Sequence, residues 1–259
     1  MSAAFGPGGL LEAEMMSERA VIFVNGELKD DQALQFLLRS DDYLIAVDGG
    51  YHHMKRMGLH PSILVGDLDS LSASDLSQLE TGGVDIRRFT AEKDETDLEL
   101  ALQIALDMDF QVILIVAALG GRLDQTIANL LLLTHPDLSN RDVRMDDGLE
   151  EVLLIRHKAV IEGMPGDTVS LLPLYEPARR IVTEGLYYPL RAETLWPEGT
   201  RGMSNVMTAP RANVHLGEGQ LLCIHTRQSG PSDSSPLAYS EGEQGASGNP
   251  SSLLPPDRV

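Results

Sequence analysis

The chain has 259 residues, 42% of them hydrophobic, enough for one large domain or two modest ones, and its 39 acidic and 20 basic residues give a formal charge of -19. Such a surface repels nucleic acid and anionic membrane, which argues against either as a partner. A single cysteine, Cys223, excludes an internal disulfide framework and a multi-cysteine zinc site and suits a reducing cytoplasm.

Residues 1–18 carry glycines and scattered charge without the basic-then-apolar pattern of a signal peptide, and read as a flexible extension. From residue 19 to 147 strand-like and helix-like runs alternate. "AVIFVNG" (20–26) is a buried strand, and "DDQALQFLLRS" follows with Leu34, Leu37 and Leu38 on one helical face. "DYLIAVDGG" is a second strand ending in a turn, and "YHHMKRMG" a short helix closed by Gly58. "SILVGDLDS" is a third strand with its exit loop, "SASDLSQLE" a helix capped by Ser72, and "VDIRRF" a fourth strand. "ETDLELALQIALDM" reads as a helix, "QVILIVAAL" as the most apolar strand, and "DQTIANLLLLTH" as another helix. Alternation of this kind implies a mostly parallel sheet with helices on both faces. From 148 to 227 helical periods vanish, and short strand-like runs between Gly and Pro turns imply a smaller all-β sandwich. Residues 228–259, rich in Ser, Gly and Pro, read as a disordered tail. No apolar run approaches the ~20 residues that span a bilayer.

In an open parallel sheet, ligands bind beyond the C-terminal ends of the strands. After the second strand come Asp48, Gly49 and Gly50; after the third, Asp67, Asp69 and Ser70. Lys93, Asp94, Thr96 and Asp97 precede the fourth helix, and Gly120, Gly121, Arg122, Asp124 and Gln125 follow "VILIVAAL". Each group has a plain structural explanation: Asp48 as a turn acceptor, Asp94 as a helix cap with Asp97 in the first turn, Asp124 as a cap, Arg122 paired with a carboxylate. "GDLDS" resists that explanation. In an extended stretch Asp67 and Asp69 point the same way and repel, and a divalent cation relieves the repulsion. No GxxxxGK[ST] or GxGxxG is present, so the Walker and Rossmann readings have no support. His52 and His53, adjacent in a short helix, point apart; Cys223 is a core residue and Trp196 a loop anchor.

"VDGG", "PSILVGDLDS", "KDETDLELAL" and "GGRLDQTIANLLLL", followed by "GDTVSLLPL", "VTEGLYYPL" and "RGMSN", resemble the thiamine pyrophosphokinase family over roughly residues 20 to 227. The resemblance implies an α/β catalytic domain followed by a β-sandwich, a homodimer, and magnesium-dependent transfer of a pyrophosphoryl group from ATP to the thiamine hydroxyl, releasing AMP. It implies that Asp67, Asp69 and Asp97 are catalytic and hold the metal and triphosphate. Asp48, Gly49, Gly50, Asp94, Thr96, Gly121, Arg122, Asp124 and Gln125 would surround the ATP, and Tyr188, Ser204 and Asn205 would touch thiamine across the dimer interface. Either Asp69 or Asp97 would orient the attacking hydroxyl or take its proton. Where the family often has "DGGAN", this chain has "DGGYHH", so Tyr51 and His52 stand where the family has a small residue and an amide. Three rivals are a pyrophosphokinase for another alcohol such as a hydroxymethyl-pterin, a non-catalytic nucleotide- or thiamine-binding protein, and an interaction protein whose aspartates are only caps and turns.

Overall fold

The computed structural model describes residues 18–90, 92 and 94–228; the N-terminal extension, Lys93 and the tail beyond 228 lie outside the described residues. Five β/α steps come first: β1 (Arg19–Phe23), α1 (Asp31–Leu37), β2 (Tyr43–Val47), α2 (Gly50–Arg56), β3 (Ile63–Gly66), α3 (Ala73–Thr81), β4 (Asp85–Arg88), α4 (Asp97–Asp107), β5 (Val112–Val116) and α5 (Leu123–Leu132). A further strand, β6 (Asp142–Asp146), closes this half. It escapes the sequence reading because Asp142, Arg144 and Asp146 alternate with only two apolar residues, Val143 and Met145. The six strands are parallel, in the order β4-β3-β2-β1-β5-β6.

Burial on both faces explains their apolar sequences. Phe23, Ala46, Leu64 and Val116 pack under α1–α3 through Leu34, Met54 and Leu79, while Ile22, Ile45, Ile113 and Ile115 pack under α4 through Leu98, Ala101, Leu102 and Ala105. The helices change face because the strand order reverses between β1 and β5. Local signals set several ends: Asp30 caps α1 through the amides of Gln32 and Ala33, Ser72 caps α3 through that of Asp75, and Gly58 leaves α2 at φ +70°. Two proposed caps are not used. Thr96, not Asp94, caps α4, accepting from the Glu99 amide; Arg122 occupies the N-cap position of α5, and Asp124 lies in its first turn.

The second half is entirely β: β7 (Glu150–Ile155), β8 (Lys158–Glu162), β9 (Thr168–Pro173), β10 (Ala178–Glu184), β11 (Arg191–Leu195), β12 (Asn205–Val206), β13 (Arg211–His215) and β14 (Leu221–Thr226). One layer of the sandwich extends the parallel sheet. β7 joins β6 antiparallel, and β14, β9 and β12 continue outward, giving ten strands in the order β12-β9-β14-β7-β6-β5-β1-β2-β3-β4. The other layer is the sheet β11-β10-β13-β8. Between them lies a separate core of Leu153, Ile155, Leu171, Ile181, Val214 and Leu221, with Cys223 fully buried inside it and its thiol pushed up by that burial. The core follows from period-two alternation; in β14, Leu221 and Cys223 face it while Leu222 and Ile224 face the core under α4. Among the described residues no helix is long and apolar enough to cross a membrane.

Candidate functional site

The strand order reverses between β1 and β5, so the peptides leaving their C-terminal ends part and open a crevice. A cleft of about 350 Å³ lies there, lined by Asn25 and Gly26 after β1, Asp48 after β2, Thr96 and Asp97 at the start of α4, Gly120 after β5, and Gln125 and Asn129 on α5. Close approaches to glycine shape it, one by a side chain and one by backbone. A Cβ on Gly49 would meet the Asn25 amide at 2.5 Å, and one on Gly50 would sit 2.1 Å from the Phe23 carbonyl oxygen.

The electrostatics centre on Asp48. Its backbone is left-handed at φ 44°, and its carboxylate accepts from the Leu68 amide at 3.1 Å. Gly66, at φ +139°, makes room for it: a Cβ there would fall 1.8 Å from Asp48 Oδ1. Burial raises the Asp48 carboxyl to about 7, opposed by the Leu68 amide and reinforced by a side-chain hydrogen bond with Asp97 and by the charges of Asp97 and Asp67. The Asp48 and Asp97 carboxyl groups thus lie within hydrogen-bond reach of each other at the cleft wall.

"GDLDS" is a turn as well as a carboxylate pair. Leu68 has φ 65°, which breaks the extended geometry that would align Asp67 with Asp69, and Asp67 Oδ1 accepts from the Asp69 amide at 3.1 Å. Asp67 is half-buried and close enough for its charge to act on Asp48, whereas Asp69 is exposed. Among the described residues no three His, Cys, Asp or Glu side chains form a cluster able to hold a metal, so Asp67, Asp69 and Asp97 are not a preassembled ligand set.

At the mouth, Arg122 pairs with Asp124 at 2.6 Å, with both side chains about 70% exposed, and the Gly121 amide donates to Glu27 at 3.2 Å. Asp94 is exposed on the loop before α4. His52 and His53 diverge as expected: His52 Nε2 lies 3.2 Å from the Ser70 carbonyl oxygen and His53 Nε2 3.0 Å from that of Gly26. Tyr51 is buried in the core under α1–α3.

A second group lies at the β12 edge. Asn205 Oδ1 accepts from the Tyr188 amide at 3.0 Å while its Nδ2 donates to the Tyr188 carbonyl at 2.8 Å, a clamp on the Tyr188 backbone. The Tyr188 ring meets Tyr187 edge-on at 4.8 Å, and both rings are exposed. Ser204, at φ 53°, is held through its amide by Ser170 Oγ at 3.0 Å.

Both halves match known proteins. The profile described as thiamin pyrophosphokinase, catalytic domain, matches residues 34–145, and that described as thiamin pyrophosphokinase, vitamin B1 binding domain, matches residues 155–221. The chain belongs to the thiamine pyrophosphokinase family. Thiamine pyrophosphokinase from Bacillus subtilis is 27% identical over 192 residues, covering 70% of this chain and 86% of that protein. The solved structure of the thiamin pyrophosphokinase from Geobacillus thermodenitrificans superposes with a TM-score of 0.69 at 26% identity, over 82% of this chain and 98% of that one. The yeast thiamin pyrophosphokinase structure shares the fold at 17% identity, with a TM-score of 0.67 over 80% of this chain and 86% of that one.

Within this thiamine pyrophosphokinase fold, the structure brings Asp48, Thr96, Asp97 and Gln125 to one cleft and groups Tyr188, Ser204 and Asn205 at another place. Gly49 and Gly50 are buried beneath the first turn of α2, and Arg122 and Asp124 stand paired at the surface. The sequence reading passes over Asn25, Gly26 and Asn129. Asn25 and Gly26 follow β1 directly, so the rule applied to the second, third and fifth strands finds them when applied to the first. Asn129 was concealed in an apolar helix; its Nδ2 donates to the Ala118 carbonyl at 2.8 Å and ties α5 to the loop after β5.

Proposed function

We infer that the chain is a thiamine pyrophosphokinase, an ATP-dependent enzyme that transfers a pyrophosphoryl group to the thiamine hydroxyl and releases AMP. One observation carries this reading: the same chain matches a thiamin pyrophosphokinase catalytic domain over its parallel half and a vitamin B1 binding domain over its β half. That pairing favours thiamine over a pterin alcohol. Incubation with ATP, magnesium and either thiamine or a hydroxymethyl-pterin, with AMP measured, tests it. Thiamine-dependent AMP is expected; AMP formed only with the pterin, or binding without turnover, overturns it.

In this reading residues 19–147 bind ATP and residues 148–227 bind thiamine. The switch-point cleft takes the nucleotide, with the peptides around Gly26, Gly49 and Gly120 free of side chains that would hinder its approach. Donor chemistry fits a hard divalent cation such as magnesium: Asp48 and Asp97 lie within hydrogen-bond reach of each other, and Asp67 adds a third nearby charge. Asp67, Asp69 and Asp97, which are not preassembled as a cluster, would gather beside Asp48 around an ion that enters with the nucleotide. When bound, magnesium neutralises the carboxylates and the phosphate oxygens. The remaining work is positioning. Gln125 lies within the cleft and Arg122 and Asp124 at its mouth, Arg122 being released to a phosphate when it leaves Asp124. Asp97 or Asp69 orients the thiamine hydroxyl toward the β-phosphorus.

Tyr188, Ser204 and Asn205 form the thiamine side. β12 is five strand spacings from β5 and six from β1, roughly 25–30 Å at the usual separation of neighbouring strands. One chain's β12 edge therefore does not reach its own cleft, and a homodimer in which each copy lends this edge to its partner completes the site. Exposed Tyr187, Tyr188, Met203 and Val206 near that edge, and Leu123, Ile127 and Leu131 along α5, supply apolar surface for such contact. A cytoplasmic setting belongs to the same reading, since ATP is at hand and the one cysteine is buried and free.

A further inference from the structure

A larger cleft, about 670 Å³, lies on the opposite side of the molecule from the acidic one and shares none of its lining residues. It sits by the start of β6, at the N-terminal end of the parallel strands, against β7, β8 and β13. Its charge inverts that of the chain: Arg141, Arg144, Arg156 and Lys158 line it against the single carboxylate of Asp142. Two of these cations are already engaged. Arg144 holds Asp142 at 2.9 Å and Glu151 at 2.8 Å, and Arg141 holds Asp109 at 3.0 Å.

Arg156 and Lys158 are not. Among the described residues neither has a carboxylate within ion-pair distance, and Arg156 makes one donation, to the Leu133 carbonyl at 2.8 Å. In a protein with 39 acidic and 20 basic residues, two cations left without counter-ions in one cleft call for an external anion. Burial lowers the proton affinity of the Arg156 guanidinium with no charge partner to offset it, and four of its five N–H donors stay available. The rest of the lining includes Leu153, Leu154 and Val160, an apolar floor, and the volume suits a small molecule. We propose that this cleft is a second, metal-independent site for a small organic phosphate, its phosphoryl group held by Arg156 and Lys158 and its apolar body lying on the β7–β8 floor.

Calorimetric titration of the full chain with phenyl phosphate in EDTA tests this, because without metal the acidic cleft repels the probe. One equivalent is expected to bind, at least fivefold tighter than inorganic phosphate, which lacks the body. The Arg156→Ala/Lys158→Ala variant should weaken binding at least tenfold, and Lys158→Glu, a change at an exposed position that spares the fold, should do so severalfold. Asp97→Asn should leave it unchanged. Absence of binding, equal binding by the double variant, or loss of binding in Asp97→Asn would overturn the proposal; none of these outcomes depends on whether the enzyme turns over thiamine.

Discussion

Asp48 shows how a single residue carries strain for chemistry. It takes a left-handed backbone, its carboxyl is raised to about 7, and it rests in a gap that exists only because residue 66 is glycine. Gly66→Ala is therefore predicted to lose activity and stability together. The new Cβ both displaces the carboxylate and strains a backbone at φ +139°, at a cost of about 1–3 kcal/mol. Denaturant unfolding and the thiamine-dependent AMP rate measure the two effects. Asp97→Asn should separate them. Removing one of two crowded carboxylates relieves repulsion, so the melting temperature should hold or rise, while AMP formation falls at least 100-fold if Asp97 anchors the metal-bound phosphates. Activity near the parent level would remove Asp97 from the site. The sequence points to both aspartates through their position after strands and before a helix. It conceals the left-handed Leu68 that turns Asp69 away from Asp67, since φ > 0 at a leucine has no sequence signature.

At the scale of elements, legibility follows hydrophobic contrast. β1, β2, β3 and β5 are apolar runs buried on both faces and stand out from their surroundings; β6 and β11, of similar length, carry charges at alternate positions, so they resemble loops. Helix starts are read less surely, because "KDETD" offers three residues able to cap, Asp94, Thr96 and Asp97, and only the backbone path selects one. The choice of Thr96 has a measurable consequence. Thr96→Ala should destabilise the protein by about 1 kcal/mol through loss of the bond to the Glu99 amide, whereas Asp94→Ala should leave stability unchanged. Chemical denaturation of both variants decides between the two caps. Because Asp97 is the first residue of α4, fraying this turn should also lower turnover in the Thr96 variant.

On the scale of the molecule, the sequence divides the chain into an α/β half and a β half, and period alone reveals that division. It does not reveal that one sheet runs through both, because strand pairing between β6 and β7 is set by the turn at Asp147–Glu150 and not by either strand's composition. A buried polar network marks this junction. His225 on β14, fully buried, lies 2.9 Å from Asp167 and 3.3 Å from Glu151 on β7; Glu151 also receives Arg144 of β6, and Arg227 pairs with Asp146 at 2.6 Å. Burial opposes ionisation at Glu151 and at His225, but their mutual pairing prevails: Glu151 is lowered to about 2, helped by Arg144, and the His225 imidazole is raised. The signs give the pH window. His225 contributes stability fully below its unfolded value of about 6.5, and the contribution is lost as pH rises through the higher folded value. Glu151 contributes above its unfolded value of about 4.5, lost as pH falls toward 2, and Asp167, also lowered, follows the same direction. Asp146, raised by burial despite Arg227, works against the acid-side loss. The network is thus strongest between about pH 4.5 and 6.5, and thermal melts should show stability decreasing on both sides of that range. In His225→Gln the alkaline decrease should shrink and stability near pH 6 should fall by a few kcal/mol, because Glu151 and Asp167 stay buried after losing their shared cation. A melting-temperature profile in which His225→Gln runs parallel to the parent across pH 5–9 would show that the imidazole is neutral in the fold and that the junction is held by the two arginine pairs instead.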